Sequence, residues 1–156
     1  MNDAWKALHV LAAFWFVAGL VGRGVTIAQV RRETDLGRVE SLMAVTDRFE
    51  RWMVRPGSAV VLLLGLVTMV TQDRSLLDEG WLLVSLILYV VLFALVPTVF
   101  LPRGKRYDAA LEDARPGGTV TPALAEALRD PMVALGRRLE LAVVVVIIVL
   151  MVTKPF

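Results

Sequence analysis

Long apolar runs dominate this chain, and short polar segments separate them. A transmembrane helix needs about 20 mainly apolar residues to cross about 30 Å of hydrocarbon. Four segments can reach that length, at about residues 4–29, 52–71, 81–101 and 131–153. The third is the clearest, because its 21 residues include no formal charge. The pattern predicts an all-α fold, a four-helix transmembrane bundle that forms a single domain over residues 1–156.

The fourth segment has the shortest apolar stretch. Leu141 to Thr153 is only 13 residues, which gives about 20 Å of helix. A full span must therefore begin further back, and Asp130-Pro131 is a suitable cap and first residue. This start places Glu140 within one edge of the bilayer.

Two loops between the predicted spans have helical patterns of their own. From Leu36 to Trp52, apolar residues recur at three- and four-residue spacing, and the charged residues fall mostly elsewhere. This spacing predicts an amphipathic helix that lies on the membrane surface. In the second loop, Thr121 and Pro122 open a short helix that ends at about Leu128.

Lys and Arg are distributed unevenly between the two ends of the predicted spans. The two long loops carry twelve when Arg137 and Arg138, near the start of the fourth span, are counted with the second loop, whereas the opposite side carries only Lys6, Arg74 and Lys154. Such residues accumulate in the cytoplasmic loops of membrane proteins. We therefore expect a multi-pass protein of the cell (cytoplasmic) membrane with its long loops cytoplasmic and both termini outside. Membrane lipids are the expected partners. We expect no nucleic-acid partner, because the net charge is only +2 and the clustered basic residues indicate orientation in the membrane.

Composition excludes several kinds of site. The chain has no cysteine, which excludes disulfides, thiolate metal sites and a cysteine nucleophile. His9 is the only histidine, so a zinc site built from several histidines cannot form within one chain. Imidazole can ligate haem, which makes His9 a candidate cofactor-binding residue. The alternative is an interfacial histidine that is hydrogen-bonded to a neighbour near the outer headgroups.

Three charged residues are expected near the cytoplasmic ends of their helices: Arg23, Arg55 and Glu140. A charge in hydrocarbon is costly unless it is paired, and arginine can bind a carboxylate with two parallel hydrogen bonds. One interpretation is a structural ion pair between helices, in which Glu140 contacts Arg23 or Arg55. In the other, the arginines extend to lipid phosphates and Glu140 pairs with Arg137 one turn before it. Neither interpretation implies a catalytic residue.

Several short motifs lie within the predicted spans and near their ends. Those in the first span are Trp5-Lys6-Ala7-Leu8-His9, Ala18-Gly19-Leu20 and Arg23. Those further along are Arg55-Pro56-Gly57, Leu64-Gly65-Leu66 and Leu150-Met151-Val152-Thr153-Lys154-Pro155. In these motifs the chain resembles a bacterial family of predicted integral membrane proteins, the domain of unknown function 2269. It is distantly similar to the CopD copper-resistance membrane domain and to the HemJ-type protoporphyrinogen oxidases.

The resemblance implies a membrane fold and supplies no activity of its own. In the HemJ-type proteins an early histidine of the first helix is associated with haem, and His9 holds that position here. The chain departs from a haem protein with two histidine ligands, because it has no second histidine.

Three functions remain open. The first is a non-enzymatic structural or accessory subunit, with other membrane subunits or copies of itself as partners, and it accounts for the scarcity of polar residues in the spans. The second is a haem-binding membrane redox protein that uses His9, and the third is a small oligomeric transporter or channel.

Overall fold

The computed structural model describes residues 2–76 and 78–155, and within them the chain is almost entirely helical. Seven α-helices follow one another in this part of the chain. They are α1 (Asn2–Val30), α2 (Leu36–Phe49), α3 (Arg55–Thr71), α4 (Gly80–Leu95), α5 (Leu101–Ala114), α6 (Pro122–Leu128) and α7 (Pro131–Thr153). The 3₁₀ turn Arg115–Gly117 ends α5, and Gly118 follows it with a φ of 65°, a left-handed conformation that glycine adopts without strain.

Two π-helical turns join successive helices without a break. Glu50–Val54 connects α2 to α3, and Val96–Phe100 connects α4 to α5. Pro56 follows the first turn closely, and Pro97 is the second residue of the other. Proline lacks an N–H and clashes with the preceding turn of an α-helix. The wider turn accommodates the ring while the helix continues.

These junctions change the predicted helix bounds. The second span continues a helix that begins at Leu36, and the third helix continues beyond residue 101 as far as Gly117. The sequence predicts that the third span ends at about residue 101, but Pro102 occupies the first turn of α5, where a missing N–H does little harm. The segment from Leu36 to Phe49 is helical, whereas its position on a lipid surface stays a prediction.

Three helices are long and apolar enough to cross a membrane. They run over Asp3–Val30, Leu36–Thr71 and Gly80–Gly117. The fourth long helix, α7, has 23 residues, but Arg137, Arg138 and Glu140 occupy its first half. The four-helix count of the sequence analysis fits the structure, and α7 differs from the other three in the charge it carries.

The four long helices pack as two pairs that share one core, with α2 and α3 counted as one continuous helix. α1 packs along α2 and α3, and α4 packs along α7. Buried side chains from both pairs meet at the centre, and they are Phe16, Leu20, Val54, Leu92, Val143 and Val144. Many large apolar side chains on the outside are exposed, including Phe14, Leu63, Val70, Val90 and Val152. Such a surface is suited to lipid, since a soluble protein rarely exposes so large an apolar area.

A second, smaller core lies where the two long loops meet. It consists of Leu36, Ala114 and Leu124, from the start of α2, the end of α5 and the middle of α6. The side chain of Thr121 accepts from the Leu124 N–H at 3.3 Å, and Asp35 accepts from the Arg38 N–H at 2.8 Å. Both are N-terminal caps, which satisfy the first free N–H groups of a helix. The two loops therefore form a folded cap on one end of the bundle.

Candidate functional site

Small residues let α1 approach the second long helix closely. A Cβ atom on Gly19 would lie 2.6 Å from the Met53 Cβ, and one on Gly22 would lie 2.6 Å from the Phe49 ring. Both separations are below any normal contact, so a larger residue at either position would force Met53 or Phe49 to shift. The close approach brings the next residue, Arg23, within reach of the π turn between α2 and α3.

Arg23 joins three helical segments through its guanidinium group. Its Nη1 donates to Glu50 Oε2 at 2.6 Å, and its Nη2 donates to Glu140 Oε2 on α7. The side chains of Arg23 and Glu140 are largely buried, with 11% and 15% of their surface exposed. Charge-assisted hydrogen bonds of this kind are the strong ones in proteins. We call Arg23, Glu50, Glu140 and the neighbouring Arg137 the Arg23 cluster.

Arg55 lies at the edge of this cluster. Its Nε donates to Glu50 Oε1 at 3.2 Å, and 75% of its side chain is exposed. Among the described residues, Glu140 pairs with Arg23 and not with Arg55. The structure therefore brings all three sequence-predicted residues to the same end of the bundle, where Glu50 links Arg55 to the other two.

Arg137 completes the charge balance of the Arg23 cluster. It lies on α7 one turn before Glu140 and interacts electrostatically with Glu140, Glu50 and Arg23. Its Nε and Nη1 are buried and have no hydrogen-bond partner in the described part of the chain. Two arginines and two carboxylates give the cluster no net charge, which reduces the free-energy cost of its burial.

His9 lies far from the Arg23 cluster, since fourteen residues of α1 separate it from Arg23, about 21 Å of helix. Its ring packs against α3, and a Cβ on Gly65 would lie 3.1 Å from the His9 Cε1. The Nδ1 atom is buried and forms no hydrogen bond that meets normal geometry within residues 2–76 and 78–155. The imidazole thus lies in the contact between the two helices, where the residue is only partly buried.

Comparison with known families decides the class of protein. The model of a family described as predicted integral membrane proteins, DUF2269, matches residues 4–155. This chain belongs to the DUF2269 family. No curated protein and no solved structure matches it. The resemblance that the sequence motifs indicated is confirmed for DUF2269, and the similarity to the CopD and HemJ-type proteins stays a prediction.

Sequence reasoning missed Glu50 as a member of the charge cluster in this DUF2269 protein. Its place in a polar stripe suggested a solvated position on an amphipathic helix. The π turn begins at Glu50, and a π turn shifts the helical register. The 3.6-residue period therefore no longer predicts the helix face on which Glu50 lies. Its five-residue separation from Arg55 is not a pairing distance in a regular α-helix, and the two side chains meet only across the π turn.

The Arg23 cluster of this DUF2269 protein forms ion pairs between guanidinium groups and carboxylates. No group of three or more His, Asp or Glu side chains suited to a metal ion occurs among the described residues. Within the Arg23 cluster, each carboxylate faces at least one guanidinium group. The arrangement holds α1, the π turn and α7 together at one end of the bundle.

Proposed function

We propose that this protein is a non-enzymatic structural or accessory subunit of the inner membrane. The observation that supports this proposal is the contact of Arg23 with Glu50 and Glu140, from two other helical segments. Charged residues within membrane spans are rare and usually mark a function, and here their charges are used to join helices. The apolar outer surface offers contact area to lipids, to other membrane subunits or to a second copy of the chain.

The size of the native assembly tests this proposal. The protein is tagged in its own host, extracted with a membrane-solubilising polymer that retains lipid, and sized together with an Arg23→Gln variant and an Arg55→Gln control. An accessory subunit should migrate as one defined assembly larger than the monomer. Arg23→Gln should dissociate that assembly and Arg55→Gln should leave it intact. A monomer surrounded by lipid alone, or an assembly indifferent to Arg23→Gln, would contradict the proposal.

We also propose a topology with four crossings, both termini outside and the long loops in the cytoplasm. The bias of twelve Lys and Arg residues in the two long loops supports this orientation. The 23 residues of α7 give about 34 Å of helix, enough to cross the hydrocarbon. Its charged first half then lies at the cytoplasmic edge, where Arg23 contacts Glu140.

Single introduced cysteines test this topology, because the chain has none of its own. We expect Thr34→Cys and Glu112→Cys to be shielded from a membrane-impermeant thiol reagent in intact cells. Asp78→Cys and Pro155→Cys should both react. Protection of Pro155→Cys alongside labelling of Asp78→Cys would show that α7 does not cross, and labelling of the two loop positions would show that the orientation is reversed.

A further inference from the structure

An open groove lies between α5 and α6, beside the start of α7. Its volume is about 740 Å³. Arg103, Arg106 and Ala110 line one side, at the three- and four-residue spacing that places them on one face of α5. Ala123 and Arg129 line the other side. Small alanine side chains leave the floor of the groove open, and arginines stand at its rim.

The groove has an excess of positive charge. Its lining includes three arginines and two carboxylates, Glu126 and Asp130. Asp130 is already engaged, since its Oδ1 accepts from the Met132 N–H at 2.7 Å and its Oδ2 lies 3.3 Å from Arg103 Nε. Arg106 and Arg129 are exposed, and neither has an ion-pair partner among the described residues. Two guanidinium groups therefore remain available to an anion.

The groove also continues directly from the apolar exterior of the bundle. Met132 and Leu135, in the first turns of α7, are exposed. Both follow Pro131, which lines the groove, within about one turn of helix. A molecule with a phosphate group in the groove could thus extend its apolar part over these residues.

We propose that this groove binds the headgroup of an anionic phospholipid, with Arg106 and Arg129 holding the phosphate. Guanidinium groups match phosphate oxygens with parallel hydrogen bonds. Basic pockets beside transmembrane helices are suited to anionic headgroups. The acyl chains would then follow Met132 and Leu135 into the hydrocarbon. An anionic phospholipid is favoured over a free anion because the groove opens onto apolar surface.

Native mass spectrometry of the purified full chain in neutral detergent tests the proposal. Dioleoylphosphatidylglycerol is titrated against the wild type, Arg106→Gln/Arg129→Gln and the matched control Arg32→Gln/Arg48→Gln. The control removes two other exposed arginines from a long loop. We expect Arg106→Gln/Arg129→Gln to weaken binding by about 30-fold, at about fivefold for each arginine. The control should change it by less than about threefold.

Several results would overturn the proposal. Equal weakening in both double variants would show attraction to general positive charge, and equal binding of dioleoylphosphatidylcholine would show that the headgroup charge is not recognised. Equally tight binding of inorganic phosphate alone would indicate a site for a free anion. Ala123→Trp fills the groove without changing its charge and should also weaken binding, so unchanged binding would place the lipid elsewhere. Far-UV circular dichroism verifies that each variant is folded.

Discussion

Replacement of Arg23 by glutamine should destabilise the bundle more than any other single charge removal in the Arg23 cluster. The substitution breaks both ion pairs of Arg23 and leaves Glu50 and Glu140 without their shared partner. Glu140 is 15% exposed and Glu50 is 28% exposed, so water can compensate only partly. Arg137 lies near both carboxylates, but its Nε and Nη1 are themselves buried, and Arg55 contacts only Glu50 at the edge of the cluster.

The magnitude follows from the burial of the pairs. Removal of one partner of a buried ion pair costs about 3–5 kcal/mol, because a charge is left without compensation. Partial exposure reduces this value, so we expect Arg23→Gln to lower the free energy of unfolding by about 2–4 kcal/mol. Glu140→Gln should cost less, about 1–3 kcal/mol, because Arg23 retains Glu50. Arg55→Gln should cost less than about 1 kcal/mol, since its side chain is 75% exposed.

Unfolding in mixed micelles, followed by far-UV circular dichroism as sodium dodecyl sulfate is increased, measures these differences. Arg23→Gln, Glu140→Gln and the double variant form a cycle that isolates the interaction between the two side chains. The double variant should lose about 1–3 kcal/mol less than the two single effects added together. The contact between Arg23 and Glu140 does not stabilise the bundle if Arg23→Gln is no more destabilising than Arg55→Gln. The same conclusion follows if the effects of Arg23→Gln and Glu140→Gln simply add in the double variant.

Two further predictions concern α1. Gly22→Leu should lower the free energy of unfolding by about 2 kcal/mol or more, because the leucine side chain would enter the space of the Phe49 ring. The same unfolding assay measures this loss. Gly24→Leu is the control, since nothing lies within 4 Å of a Cβ at that position. If His9 binds haem, protein purified from haem-replete native membranes should show a Soret band that His9→Ala abolishes without unfolding the chain, and the absence of any chromophore would refute this role.

Much of the helical architecture is visible in the sequence because it depends on local chemistry. Apolar length predicts the long helices, and the Thr-Pro and Asp-Pro pairs mark where α6 and α7 begin. In the structure Thr121 caps α6 and Asp130 caps α7. The sequence left two possible partners for Glu140, an arginine on another helix or Arg137. An unpaired carboxylate in hydrocarbon is costly, so Glu140 needs a partner, but this cost does not specify which arginine it is.

The π turns and the role of Glu50 could not be read from the sequence. Proline usually predicts a helix boundary, and whether the chain stops or continues through a wider turn depends on the neighbours that stabilise it. Here α1 provides those neighbours, because Gly19 and Gly22 admit Met53 and Phe49 to close contact. Long-range packing therefore decides the local geometry, and the position of Glu50 follows from that geometry.

The short apolar stretch of α7 and the location of the Arg23 cluster have one physical explanation. In the proposed four-crossing topology, the twelve apolar residues and Thr153 at the end of α7 cover about 20 Å, so about 10 Å of the hydrocarbon remains for the turns that contain Arg137 and Glu140. A charged helix edge at that depth is unfavourable alone. Arg23 on α1 offsets the charge of Glu140, and Glu50 offsets that of Arg23. In the proposed topology, stable insertion of α7 therefore depends on α1, because the Arg23 cluster joins the two helices.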